Sequence, residues 1–245
     1  MSAFEGSDGL ERVIAAHTIL SDVDGAAGRL VIRGRSLDQL SGQATYEEVV
    51  HLLFGGVFDA LPDAMGLTAA LGRARAEVFA EVAALDARLI GLGAIEAVRA
   101  LMARLPDGDD LATGLRLVAA PAVFTAAAAR RRQGLGPIAP DAGLGHAADM
   151  LRMLKGRAAT AAEVAGLDAY LVTVSDHGLN ASTFAARVIA STHAGLTSAV
   201  LGGISALKGP LHGGAPGPVI EMLTRSTSPP TPRRGWKARS ITATG

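Results

Sequence analysis

No cysteine occurs anywhere in the chain, which excludes disulfides, thiolate-bound metals and a cysteine nucleophile. Aromatic residues fill only 4% of the 245 positions, against 49% hydrophobic residues overall. Alanine supplies much of that apolar content. Small side chains let helices approach closely, so a helix-dominated, tightly packed protein is expected. The length suits one large domain or two modest ones, with ample material for a core. No glycine cluster follows a strand and opens a helix in the pattern of a P-loop or dinucleotide fingerprint. Residues Met1 to Asp8 carry acids and lack a basic start followed by an apolar core, so no signal peptide is expected and the cytoplasm is the default location.

The most apolar window, Ala185 to Leu207, approaches the length of a membrane span. It contains Arg187, His193 and many Ser, Thr and Gly residues, so it reads as a buried pair of helices and no membrane is expected. Net charge is zero, with 23 bases and 23 acids, but the distribution is uneven. Residues 225–245 hold five bases and no acid, which leaves a net charge of −5 on residues 1–224. Three prolines, Pro229, Pro230 and Pro232, interrupt this end, and it has neither helical nor strand period. A domain over 1–224 followed by a disordered basic tail is the expected organisation. The body carries no basic stripe, so nucleic acid is not an expected partner.

Two short β-branched runs flank Asp24-Gly25 and predict a small N-terminal hairpin. Everything after it reads as helix. Thr45-x-x-Glu48 forms a capping box ahead of Val49, Val50, Leu52, Leu53 and Phe54. Apolar periodicity near 3.6 predicts helices over 67–85, 93–104, 111–131, 145–154 and 163–174. Asp109-Asp110 and Glu47-Glu48 sit near helix starts as caps or dipole partners, and Arg130-Arg131-Arg132 closes a helix where cations suit its dipole. His17, His51 and His193 have no partner at an informative spacing and read as structural. Arg187 reads as a packing or interface residue.

Two histidines remain, 35 positions apart, in Ser175-Asp176-His177-Gly178-Leu179-Asn180 and Lys208-Gly209-Pro210-Leu211-His212-Gly213-Gly214. One straight helix from Ala181 to Leu207 would hold them roughly 40 Å apart. Its middle, Ser191 to Ser198, carries a glycine and several residues that compete for backbone hydrogen bonds. Two antiparallel helices, 181–192 and 197–207, are therefore expected. Folding the run back would bring His177 and His212 to the same end of a helical hairpin.

These motifs, together with Ser21-Asp22-Val23-Asp24-Gly25, Arg33-Gly34 and Tyr46-Glu47-Glu48-Val49, resemble the citrate synthase family over residues 9–224. The resemblance implies an all-α fold, apart from the small hairpin, and a homodimer that pairs through the 181–207 hairpin. It implies an acyltransferase that condenses acetyl-CoA with oxaloacetate to give citrate and CoA, the entry to the tricarboxylic acid cycle. Close relatives use propionyl-CoA to make 2-methylcitrate. His212 matches the catalytic histidine that hydrogen-bonds the thioester carbonyl, and Leu211 beside it falls where CoA is received. A Gly-rich turn ahead of a helix favours a neutral imidazole, which suits a hydrogen-bond donor. His177 matches the histidine that binds an oxaloacetate carboxylate, with Asn180 in the same motif. No permanently bound cofactor and no metal are implied; acetyl-CoA is a co-substrate.

The chain also departs from the family pattern. No Gly-x-Gly-His-x-Val follows the two histidine motifs, and Gly143-Leu144-Gly145-His146 lies upstream of both. His146 therefore reads as a helix-start residue. Pro216 stands where the family usually has asparagine. The resemblance implies a large domain cut before its small domain, with activity impaired because the aspartate base and second histidine lie beyond the match. The alternatives are a non-catalytic dimerisation or regulatory partner of a full-length synthase, and a 2-methylcitrate synthase fragment.

Overall fold

The computed structural model describes residues 16–213 and Met222. The segment 9–15, Pro216, the boundary at 224 and the tail 225–245 lie outside the described residues. The chain divides into two units, Met1–Leu207 and Lys208–Gly245.

In the first unit the expected hairpin is a three-stranded antiparallel sheet of β1 (Ser21–Asp24), β2 (Arg29–Ile32) and β3 (Arg35–Ser36). Asp24 pairs with Arg29, so residues 25–28 form the turn rather than Asp24-Gly25 alone. Ile32, opposite Ser21, is fully buried with Leu40, Val49 and Val172. That cluster seats the sheet on the helices that carry Leu40, Val49 and Val172, the last of which leads into the 175–180 segment.

The helices are α1 (Leu37–Leu40), α2 (Tyr46–Phe54), α3 (Ala64–Val78), α4 (Ala87–Gly91), α5 (Ala94–Met102) and α6 (Leu111–Arg132). Then come α7 (His146–Lys155), α8 (Ala161–Thr173), α9 (Ala181–Ala190) and α10 (Leu196–Leu207). Side-chain caps set most of the starts. The Thr45–Glu48 capping box is present, and Asp110 accepts from the Thr113 amide at 2.8 Å. Asp63 caps α3 and moves its start ahead of the expected position. Thr160 and Glu163 form another capping box that starts α8 early. The helix expected over 67–85 tightens into a 3-10 turn at Phe79–Ala84, and α1 and α4 are short elements that periodicity alone does not reveal.

Helix α6 runs through the middle of the main core. Ala119, Ala120, Ala122, Ala126, Ala127 and Ala128 are all buried on it, and small residues there let α3, α5 and α7 pack close. Phe124, Leu101, Met102, Val78 and Met153 fill the space between. Among the described residues α6 is the one helix with the length and hydropathy of a membrane span, and its apolar window is mostly buried within the protein. The window 185–207, which approached that length in the sequence, is instead split by a bend at 191–195.

The bend forms for the reason the sequence suggested. Ser191 and Thr192 hydroxyls donate to the Val188 and Ile189 carbonyls at 2.7 Å each, and His193 adopts a left-handed backbone at φ 57°. Asp107 then caps α10 from a distant loop, accepting from the Thr197 amide at 2.8 Å and from the Ser198 hydroxyl at 2.5 Å. A Cβ built on Gly203 would lie 3.4 Å from the Ser182 carbonyl and 3.5 Å from the Ala186 methyl. Helix α10 thus runs back along the start of α9.

Candidate active site

His177 occupies the short loop between α8 and α9, with its side chain exposed. Helix α8 delivers this loop and is tied to α2 where Asp168 accepts from the Tyr46 amide at 3.1 Å. The Ser41 hydroxyl lies 3.0 Å from that of Thr173 near the end of α8. Both contacts fix the direction in which the chain leaves the helix.

The loop itself is held at both ends. At its start Asp176 Oδ1 accepts from the Gly178 amide at 2.9 Å, closing a turn around His177. At its end Asn180 is the N-cap of α9: its Oδ1 accepts from the Thr183 amide at 3.0 Å and from the Ser182 hydroxyl at 2.7 Å. The Asn180 backbone amide donates to the Gly178 carbonyl at 3.1 Å. Gly178 has φ 93°, a conformation that a side chain would strain.

The Asn180 cap decides the chemistry of His177. With Oδ1 committed to Thr183, the amide nitrogen Nδ2 faces His177 Nδ1 at 3.3 Å. An amide nitrogen can only donate, so Nδ1 accepts and the neutral ring carries its proton on Nε2. A histidine held this way offers an outward N–H to an anionic oxygen. Replacing Asn180 with alanine removes the cap and the ring's orienting donor together. The expected loss is about 1 kcal/mol of stability, measured by urea unfolding; an unchanged midpoint would show that the cap contributes nothing.

His212 and Leu211 lie in the second unit. There the His212 amide donates to the Gly209 carbonyl at 3.0 Å, closing a turn. The His212 side chain is half-buried and Leu211 is fully exposed.

The family model described as citrate synthase, C-terminal domain, matches residues 9–241. The chain belongs to the citrate synthase family. It is 34% identical over 240 residues to 2-methylcitrate synthase from Mycobacterium tuberculosis, covering 94% of this chain and 61% of that protein. Citrate synthase from Haloferax volcanii is 37% identical over 229 residues, covering 88% and 60%. Among solved structures, citrate synthase from Thermotoga maritima superposes with a TM-score of 0.75 at 29% identity, covering 90% of this chain and 61% of that one. The citrate synthase of Thermoplasma acidophilum, in a ternary complex with carboxymethyl coenzyme A and oxaloacetate, gives a TM-score of 0.69 at 27% identity, covering 91% and 61%. The chain therefore spans about three-fifths of the length of these relatives.

The other singled-out groups are not part of the 175–180 loop. His146 is buried at the start of α7, its amide donating to Glu47 Oε1 at 2.6 Å and its ring 4.9 Å from the Tyr46 ring. Glu47, read from sequence as a cap or dipole partner, lies in the first turn of α2 and is also buried, accepting from the amide that opens α7. His193 stands at the α9–α10 bend. Arg187 is exposed on α9. A cavity of about 430 Å³ beside Asp176 is lined by Phe54, Phe58, Leu117, Leu196 and Val200, and its apolar walls do not suit a dicarboxylate. Among the described residues no three His, Asp or Glu side chains converge as a metal site.

Proposed function

We propose that this chain carries the oxaloacetate-binding and thioester-polarising histidines of a citrate synthase-type acyltransferase. His177, held by Asn180, donates its Nε2–H to an oxaloacetate carboxylate. His212 donates a hydrogen bond to the thioester carbonyl of acetyl-CoA, with Leu211 beside the bound CoA. That bond strengthens as the carbonyl oxygen gains charge during enolisation, which is where a preorganised donor lowers the barrier. In the full reaction a base outside the two histidine motifs takes the methyl proton, the enol carbon attacks the oxaloacetate ketone, and hydrolysis of the citryl thioester releases citrate and CoA. Of these groups only the two histidines are assigned to this chain, so its turnover is expected to be severely impaired. Relatives named for citrate and for 2-methylcitrate are similarly close, and acetyl-CoA is proposed as the acyl donor.

The orientation of the His177 ring carries the reading, because a carboxylate requires a donor where the loop offers one. Titrating oxaloacetate by calorimetry tests it. His177→Ala is expected to weaken binding by roughly tenfold or more, the scale of a hydrogen bond to a charged group. Equal affinities, or a wild-type chain that takes up no oxaloacetate, would sink the assignment.

We also propose that the chain pairs as a homodimer through the 181–207 hairpin. Phe184 and Val188 on α9 are 40% and 51% exposed, and α9 has no fully buried residue.

A further inference from the structure

The motif Ser21-Asp22-Val23-Asp24-Gly25 lies 155 residues from the His177 loop in sequence but touches it in space. The Ser21 hydroxyl donates to Asp176 Oδ1, the same oxygen that receives the Gly178 amide. Two positions along β1, on the same face of the strand, Val23 reaches Gly178: a Cβ built there would meet Val23 Cγ2 at 3.2 Å. Strand β1 therefore grips the loop at both residues flanking His177.

The strand can act as a fixed support because its other contacts are rigid. Ser21 is paired across the sheet with the fully buried Ile32. The Arg33 amide donates to the Leu20 carbonyl at 2.8 Å, and the Arg33 guanidinium donates to the Gly55 carbonyl at 2.5 Å, beyond the end of α2. A continuous line of bonds runs from α2 through the sheet, Ser21, Asp176 and Gly178 to Asn180, whose amide faces the His177 ring.

We propose that Ser21 is a positioning residue for His177: its hydroxyl, by holding Asp176, sets the turn that aims the imidazole. The inference rests on the synthase reading for what the imidazole binds, but not for how the loop is held. Without the hydroxyl, Asp176 Oδ1 keeps only the Gly178 amide as its partner, and the turn is free to shift against β1. A methyl group added at Ser21 leaves the hydroxyl in place, so threonine should substitute.

The test compares the wild-type chain with Ser21→Ala and Ser21→Thr. The His177 ring resonances are read by NMR, oxaloacetate affinity by calorimetry and folding by thermal melting. Ser21→Ala is expected to fold, to move the His177 ring resonances, and to weaken oxaloacetate roughly threefold to tenfold, the scale of one lost hydrogen bond. Ser21→Thr is expected to restore both. Ring resonances unmoved in Ser21→Ala overturn the inference, whatever happens to affinity. If the wild-type chain takes up no oxaloacetate, the synthase reading falls and the ring resonances alone decide the role of Ser21. If Ser21→Ala does not fold, Ser21→Thr decides: shifted ring resonances in a folded Ser21→Thr chain overturn the inference, and wild-type ones support it.

Discussion

Replacing Asp149 with alanine is expected to destabilise the protein by about 3–5 kcal/mol, because it strands a buried cation. Asp149 and Arg75 are both fully buried and bonded at 2.8 Å. The same carboxylate accepts from Arg152 at 2.9 Å and from the Asp141 amide at 3.1 Å. Arg75 in turn donates to the Leu144 carbonyl at 2.5 Å. The pair thus pins the 139–145 loop between α3 and α7. Each lost kcal/mol lowers the melting temperature of a chain this size by roughly 2–4 °C, so a drop on the order of 10 °C is expected by calorimetry. The double variant Arg75→Met, Asp149→Leu should recover part of it, since no fully buried charge is left unpaired and Arg152 is partly open to solvent. A single variant melting with the wild type would show that the ion pair does not hold this loop.

The second large effect is a loss of stability in mild acid. Burial, with the Arg75 charge adding to it, pushes the His146 imidazole from its ordinary value down to about 3. Its Nδ1 is buried without a hydrogen-bond partner, so the folded protein keeps the ring neutral. The unfolded chain takes up a proton once the pH falls below about 6.5. Between about 6.5 and 3 the unfolded state therefore binds more protons, and stability falls as the pH falls. By pH 4.5 the loss should reach about 2–3 kcal/mol. Asp107 and Asp110, held below the usual carboxylate range by hydrogen bonds, lose their contribution only at lower pH. His146 sets the slope over the window from 6.5 to 4.5, with Asp168, whose carboxyl is pushed up by burial, acting in the opposite sense toward its lower end. Urea unfolding across it should slope steeply in the wild type and flatten in His146→Phe; parallel curves would contradict the assignment.

Much of the helical framework is legible in the chain because its signals are local. The Thr45–Glu48 box, the Asp110 cap and the polar residues at 191–195 act within one or two turns of the backbone they shape. The elements that escape such reading are short or are bounded by a different cap. Helix α1 is one turn long, and the start of α3 depends on Asp63 rather than on apolar spacing. Strand β3 adds only two residues to the expected hairpin, too few for any period to register.

The amino-acid sequence by itself determined the family, the mainly helical architecture, the bend between α9 and α10, and the identity of His177, Asn180, Leu211 and His212 as site candidates. Each rests on a motif or a spacing contained in a short stretch of chain. Tertiary structure alone decided how His177 is held. Its ring faces Asn180 because that residue's oxygen is committed to a helix cap, and its loop leans on Ser21 and Val23 from the far end of the chain. It also decided that His146 and Glu47 are a buried pair and that Arg75 answers Asp149. Contacts across 74 to 155 residues leave no periodic trace in a single sequence, because their partners are brought together by core packing and not by local backbone geometry.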